Sequence, residues 1–420
     1  MKTRTIRSPA AAVRAGLGFI LLATVIAGLA GYTVQAVVLA HLAPADYLRF
    51  SVFWSALYLL VSGLAGIQQE VTRATRIRPE RAVAASTTAR KFGAMAALGV
   101  FVLIASTGSF WGPMVFSGAS SWSLVLAVAV GAASYVVVAV FCGTMYGLHR
   151  WRTLAVMTSM DALLRLASVT VAVSVSPSNE LLSWAVVAPF PITVVIVWLV
   201  VRRQTAGLSV LDVGVKRLSW NSLRTVTGSV ATGILISGFP LFLSLASQND
   251  PATSVGTMIA VVTLTRAPLV IPFLALQSYL LVFFRDQARS FWRSFALILG
   301  AIFVATTVAA ALAWWIGPEI LALFGPKYEI DAVTMGLVVA SAGFTAALCV
   351  SGPAVLARGA HNIYSLGWSV AAAVVVLTLF LPLDLTARSI LALALGPFIG
   401  LLIHTGYLVI VTRRVGAVEL

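Results

Sequence analysis

The chain reads as an all-α polytopic membrane protein, with about 12 transmembrane helices in two six-helix lobes around a central cavity. Three observations carry that reading. The 420 residues are 60% hydrophobic and only 10% charged, with a mean hydropathy of +1.00, too apolar for an ordinary soluble domain. Apolar runs recur at about 20–25 residues, the length a helix needs to cross ~30 Å of hydrocarbon, whereas a transmembrane barrel would show short alternating segments. Finally, the 28 Lys and Arg residues gather in the short connections between those runs.

Taken in order, the first six spans cover about 15–39, 48–69, 93–116, 123–147, 153–175 and 181–201, and the second six about 227–247, 253–284, 294–316, 333–357, 363–382 and 390–411. The apolar run after Arg14 is too long for the core of a signal peptide, and no A-x-A-type cleavage site follows it, so it is expected to remain as the first span. Phe92 to Gly147 contains no Asp, Glu, Lys or Arg and is long enough for two spans, with the Gly/Pro/Ser-rich stretch around 108–121 as the turn. With the N-terminus inside, three basic residues (Arg49, Lys327, Arg388) fall outside, two (Arg165, Arg266) fall within spans, and the remaining 23 of 28 lie on the cytoplasmic side. That asymmetry is what the positive-inside rule produces, so both termini are expected in the cytoplasm. The same placement explains the net charge of +15 without nucleic acid. The Ala/Val/Arg-rich composition suggests a bacterium, with the chain multi-pass in its cytoplasmic membrane.

The longest connection divides the chain into an N-terminal lobe (1–201), a linker (202–226) and a C-terminal lobe (227–420). Within the linker, Leu208, Leu211, Val215 and Leu218 recur at helical spacing, and Ser209 and Asp212 have capping-box spacing. This predicts a short helix on the cytoplasmic leaflet, serving as a structural linker. The GxxxG pairs Gly143/Gly147 and Gly396/Gly400 are read as close-packing helix faces, and Cys142 and Cys349 as small packing residues.

Enzyme motifs are absent: there is no P-loop, HExxH or G-x-S-x-G, and no connection is long enough for a catalytic domain. The polar residues left inside the spans are therefore the informative ones. Arg266 stands in 34 residues between Asp250 and Arg285 that hold no other charge, followed by Pro268 and Pro272. At ~1.5 Å per residue it lies about 24 Å of helix from Asp250 and about 28 Å from Arg285. A cation at that depth costs several kcal/mol unless it faces a wet cavity or a partner. Gln277, eleven residues on, faces a similar direction. Asp161 and Arg165, four apart on the fifth span, form either a self-neutralising structural pair or part of a cavity. Gln35 lies within the first span. Glu70 ends the second, where it reads first as an interfacial partner of Arg73. His404 reads as a packing histidine.

Three local patterns resemble the polysaccharide-exporter branch of the multidrug/oligosaccharidyl-lipid/polysaccharide (MOP) exporter superfamily, the Wzx-like lipid-linked oligosaccharide flippases. L-A-P-A-D-Y-L-R-F (Leu42 to Phe50) is similar to that family's L-G-P-x-x-Y-G-x-F turn, with Arg49 as a departure. L-T-R-A-P-L (Leu264 to Leu269), with Gln277 further on, and L-F-G-P-K-Y (Leu323 to Tyr328) are the other two. The resemblance implies translocation of a polyprenyl-(pyro)phosphate-linked sugar from the inner to the outer leaflet by alternating access, for cell-envelope polysaccharide synthesis. It further implies a substrate-binding cavity with Arg266 on the phosphate groups, Arg165 as a second cation, and Gln277 and Gln35 as further cavity residues. Asp161 and Glu70 are the candidates for ion coupling, with H+ or Na+ as the ion; no metal site and no other cofactor is expected. The expected partners are the lipid-linked glycan, membrane lipid and polysaccharide assembly proteins. Two other readings stay open: a cation-coupled multidrug exporter of the same superfamily, and a non-transporting scaffold of a glycan assembly complex.

Overall fold

A computed structural model describes residues 9–75, 88–116, 121–205, 211, 214–286, 290–325 and 327–418. Among them the chain is helical almost throughout, in fourteen helices: α1 (Pro9–His41), α2 (Pro44–Ala74), α3 (Ala89–Val115), α4 (Ser121–Gly147), α5 (Trp151–Val175), α6 (Asn179–Val187), α7 (Pro189–Thr205), α8 (Val215–Ser237), α9 (Phe239–Ala246), α10 (Ala252–Asp286), α11 (Phe291–Ala322), α12 (Ala332–Leu356), α13 (His361–Leu379) and α14 (Leu385–Val418). Ten helical segments are long and apolar enough to cross a membrane, or up to 12 when each of two bent pairs counts as one span. The spans read from hydropathy fall on these helices in order. The sixth is α6 plus α7 and the seventh α8 plus α9. The cytoplasmic connection around 76–87 lies outside the described residues, as do Leu208, Ser209 and Asp212 of the expected linker helix. Val215 and Leu218 belong to α8, which runs on without interruption to Ser237.

Helix ends follow local chemistry. Pro44 opens α2, where its missing N–H is no loss, and Asp46 places a negative charge in the same first turn. Asp331 caps α12 by accepting the Thr334 N–H at 2.8 Å. Bonds from Thr334, first its hydroxyl and then its backbone N–H, hold the Asp331 carboxyl below the ordinary carboxylate range.

Broken spans are repaired by side chains from neighbouring helices. Pro189, at the α6–α7 junction, cannot donate to the Ala185 carbonyl. That oxygen instead accepts from Ser168 Oγ of α5 at 2.7 Å. At the α8–α9 junction the chain turns by 73° around Gly238 and Pro240. Ser55 of α2 inserts there, receiving the Leu241 N–H at 3.1 Å and donating to the Ser237 carbonyl. A hydroxyl threaded into the i→i−4 ladder is a recognised origin of a sharp kink. A second bend, of 49°, separates Ala252–Arg266 from Pro268–Leu274 within α10.

Two compact units result. One comprises Met1–Val34 and Leu60–Val230; the other comprises Gln35–Leu59 and Ala231–Leu420. The end of α1 and the first half of α2 thus pack with the C-terminal helices. Tyr47, Phe50, Phe53 and Leu57, spaced to share a helix face, are all buried. Tyr47 meets Tyr328 edge to face, and Tyr328 donates its hydroxyl to the Leu42 carbonyl at 3.0 Å. In the first unit, Gly143 and Gly147 let α4 approach Val71 and Thr75 of α2. In the second, Gly396 and Gly400 bring α14 against Val375, Ala371 and Gly367 of α13. The GxxxG pairs are close-packing faces, as the sequence indicated.

Gly256 marks the tightest approach of this kind: a Cβ there would sit 1.9 Å from the Pro44 carbonyl oxygen. Gly256→Ala should therefore destabilise the protein by at least about 2 kcal/mol, because helix backbones must move apart. Gly300→Ala, where a Cβ meets nothing within 4 Å, should be neutral or slightly stabilising. Thermal unfolding in detergent checks both, and equal melting temperatures for the two variants would contradict this packing.

Candidate functional site

Arg266 occupies the bend of α10 and is buried, 9% exposed. Its Nη2 donates to Thr345 Oγ1 of α12 at 2.9 Å, and Thr345 is itself fully buried. Among the described residues no carboxylate pairs with this guanidinium. A planar group with five donors and a fixed positive charge is thus tied to one neutral hydroxyl. Gln277 lies about 16 Å further along the same helix, too far to touch it. The Gln277 Nε2 is buried without a hydrogen-bond partner.

Arg165 has a different environment. It lies 2.8 Å from Asp161 Oδ2, one turn earlier on α5, in an ion pair. Its Nε donates to the Val186 carbonyl at 3.1 Å, next to the carbonyl that Pro189 leaves open, and its guanidinium lies 4.5 Å over the Phe190 ring. Arg165 and Ser168 together secure the α6–α7 junction. Asp161 Oδ1 remains buried without a hydrogen-bond partner.

The other sequence candidates have local partners. Gln35 accepts from the Tyr47 hydroxyl at 3.2 Å. Glu70 receives a fork from Arg73, at 2.8 Å on Oε2 and 2.6 Å on Oε1, and Oε1 also accepts from Asn221 Nδ2 at 2.8 Å. The carboxylate therefore clamps α2 to α8. His404, fully buried, lies 2.9 Å from Ser351 Oγ and 3.3 Å from the Tyr364 carbonyl. Asp161 and Arg165 are brought together; Arg266, Gln35 and Glu70 each have different hydrogen-bond partners.

Sequence reasoning missed one buried ion pair. Arg388, read as an outer-connection residue, lies in the first turn of α14, 8% exposed, and pairs with Asp250 and with Ser247 Oγ. Both partners sit in the short α9–α10 connection, some 140 residues earlier, so no local pattern announced the contact. Thr345, the acceptor of Arg266, was likewise invisible, one of several small polar residues in an apolar run. Among the described residues no group of three or more His, Cys, Asp or Glu side chains is placed to hold a metal ion.

No family model matches the chain. Its fold is that of the MATE-type transporters of the MOP superfamily. A multidrug resistance MATE family transporter superposes in its inward-facing conformation with a TM-score of 0.65, at 14% identity over 94% of this chain and 95% of that one. The outward-facing conformation gives 0.62 at 13% identity, covering 96% of each chain. A MOP superfamily transporter from Pyrococcus furiosus, described by a reverse polarity of its binding pocket that suggests a different function, gives 0.65 at 11% identity, again over 96% of each. The chain belongs to one family with a group of mycobacterial proteins. Among these are Uncharacterized protein Rv1510 of Mycobacterium tuberculosis, 31% identical over 396 residues (92% of this chain, 90% of that protein), and Uncharacterized protein Mb3654 of Mycobacterium bovis, 31% identical over 397 residues (91% and 89%). It is thus a multi-pass membrane protein with a transporter fold.

Thr345→Val removes the acceptor of a buried guanidinium while keeping the side-chain volume. It should lower stability by about 1–3 kcal/mol, the cost of leaving a buried donor unsatisfied. Adding Arg266→Met should recover most of that loss, since an apolar chain carries no such demand. A double-mutant cycle by thermal unfolding measures this coupling, and strictly additive effects would contradict the Arg266–Thr345 contact.

Proposed function

We propose that the protein is a flippase moving a polyprenyl-(pyro)phosphate-linked sugar or oligosaccharide from the inner to the outer leaflet by alternating access, in support of cell-envelope polysaccharide synthesis. The observation that carries the proposal is Arg266: a buried cation, on a bent helix of a transporter fold, bonded to a neutral hydroxyl and paired with no carboxylate among the described residues. A guanidinium fork matches two phosphate oxygens, and in a water-poor site the charge-assisted bonds gain strength. Such a head group supplies a counter-charge to Arg266. The Pyrococcus transporter that shares the fold is described by a reverse polarity of its binding pocket that suggests a different function, in keeping with a cargo other than the drugs of the multidrug transporters.

In this reading Arg266 binds the phosphate groups. Gln277, with its unsatisfied amide, and Gln35 are polar contacts for the head group or the sugar. Arg165 is a weaker second cation, since Asp161, the Val186 carbonyl and the Phe190 ring already surround it. Asp161, with one carboxylate oxygen unengaged, is the better candidate for coupling to H+ or Na+; Glu70 is committed to Arg73 and Asn221. No other cofactor is invoked. Polysaccharide assembly proteins are the expected partners of such a flippase.

A second reading, cation-coupled multidrug export, is favoured by the same Asp161 oxygen and by the multidrug transporters that share the fold. The two separate on one experiment. In proteoliposomes carrying a fluorescent polyprenyl-pyrophosphate sugar, the wild type should translocate the lipid and Arg266→Gln should slow it by about tenfold or more, as expected for losing a charge-assisted hydrogen bond worth ~1.5–3 kcal/mol. Lipid left on its original leaflet by the wild type, together with drug resistance conferred on cells, would establish the exporter instead. Neither activity, with glycan assembly lost on deletion, would point to a scaffold.

A further inference from the structure

The first unit carries a groove that the transport proposal does not use. α3 and α7 each pack against α4, and the face of α4 between them forms the floor. Small residues open the α3 wall: Gly93 lies so near the floor that a Cβ would come within 3.3 Å of Val140 Cγ1, and Ala94 follows it. Val137 and Phe141 of α4 and Val195 of α7 complete an apolar trough of about 300 Å³. The Thr144 hydroxyl in the lining is already bonded to the Val140 carbonyl at 2.9 Å. The trough ends at Arg90, with exposed Lys91 beside it and Trp198 of α7 at the same end.

The charge at that end calls for an anion. Arg90 and Lys91 sit in the first turn of α3, which contains no acidic residue, so both oppose the positive end of the helix dipole. The positive-inside rule accounts for basic residues beside a membrane. It does not account for an apolar trough that terminates on them, with a tryptophan of the kind found at membrane–water interfaces. Among the described residues no lining residue is acidic. Free phosphate would leave the trough empty, and a zwitterionic lipid would bring its own cation to Arg90.

We propose that this α3–α4–α7 groove is a binding site for one anionic glycerophospholipid, with an acyl chain along Gly93, Ala94 and Phe141 and the phosphate at Arg90. The site lies in a different unit from Arg266 and does not depend on the flippase reading. The full-length protein, delipidated in uncharged detergent, is offered equimolar dioleoyl phosphatidylglycerol and dioleoyl phosphatidylcholine, and retained lipid is counted by native mass spectrometry. Phosphatidylglycerol should be retained about fivefold over phosphatidylcholine, the equivalent of ~1 kcal/mol for one basic side chain. Arg90→Gln should bring the ratio close to one, Ala94→Phe should reduce total retention, and Lys327→Gln should change neither. A ratio near one in the wild type, or a preference that survives Arg90→Gln, overturns the proposal. So does a dimer in the same spectra that excludes lipid from the wild type but not from Ala94→Phe, or inorganic phosphate alone displacing the retained phosphatidylglycerol. If Ala94→Phe does not fold, the Arg90→Gln ratio decides.

Discussion

Hydrocarbon offers no hydrogen-bond partner, and that constraint organises this molecule. Every backbone N–H and C=O within a span must be satisfied by protein. An unbroken helix meets the demand by itself, which is why runs of apolar residues become α1, α3, α4 and α11 with little further specification. Breaks are where the constraint becomes specific. Pro189 removes a donor, and Ser168 supplies one; the α8–α9 turn opens a ladder rung, and Ser55 closes it from both sides. At the α6–α7 and α8–α9 junctions a neighbouring helix carries a hydroxyl or guanidinium at the right depth.

Charges obey the same rule more strictly. Glu70, Asp161, Arg165, Arg388 and Asp250 all have charged partners, and Glu70 and Arg388 make further hydrogen bonds to neutral side chains. Arg266 departs from that pattern, since among the described residues it bonds to an uncharged threonine and to no carboxylate. Among the described residues the other buried charges are paired and Arg266 has no carboxylate, which is the counter-charge that the proposed anionic head group would supply. On that physical ground the transport proposal rests on Arg266 rather than on Arg165, although the sequence presented both as arginines within spans.

Much of the fold was legible from composition and spacing. Length, hydropathy and charge placement located the spans to within a few residues at most ends, because a membrane span is a local property of about 20 consecutive residues. Glycine pairs four apart identified real packing faces for the same reason. What the sequence concealed was non-local. Residues 35–59 cluster with the C-terminal helices, held by contacts such as Tyr328 to Leu42 and Ser55 to Leu241. Arg388 looked like a surface residue because its nearest acid in sequence, Asp384, marks a helix start, while its actual partner is Asp250. The candidate site was legible in its charges and illegible in their partners: Arg266 stood out by depth alone, but the apolar context of Thr345 gave no sign of its role.

The central claim is that Arg266 receives a phosphate-bearing head group. Isothermal titration of the purified protein with a short-chain prenyl pyrophosphate, compared with the parent prenol and with a lipophilic cation, tests it directly. The account predicts binding of the pyrophosphate in preference to both. That affinity should fall about tenfold or more in Arg266→Gln and weaken with added salt, as a charge-assisted contact requires. An affinity unchanged by the substitution, or a preference for the cation, would contradict it.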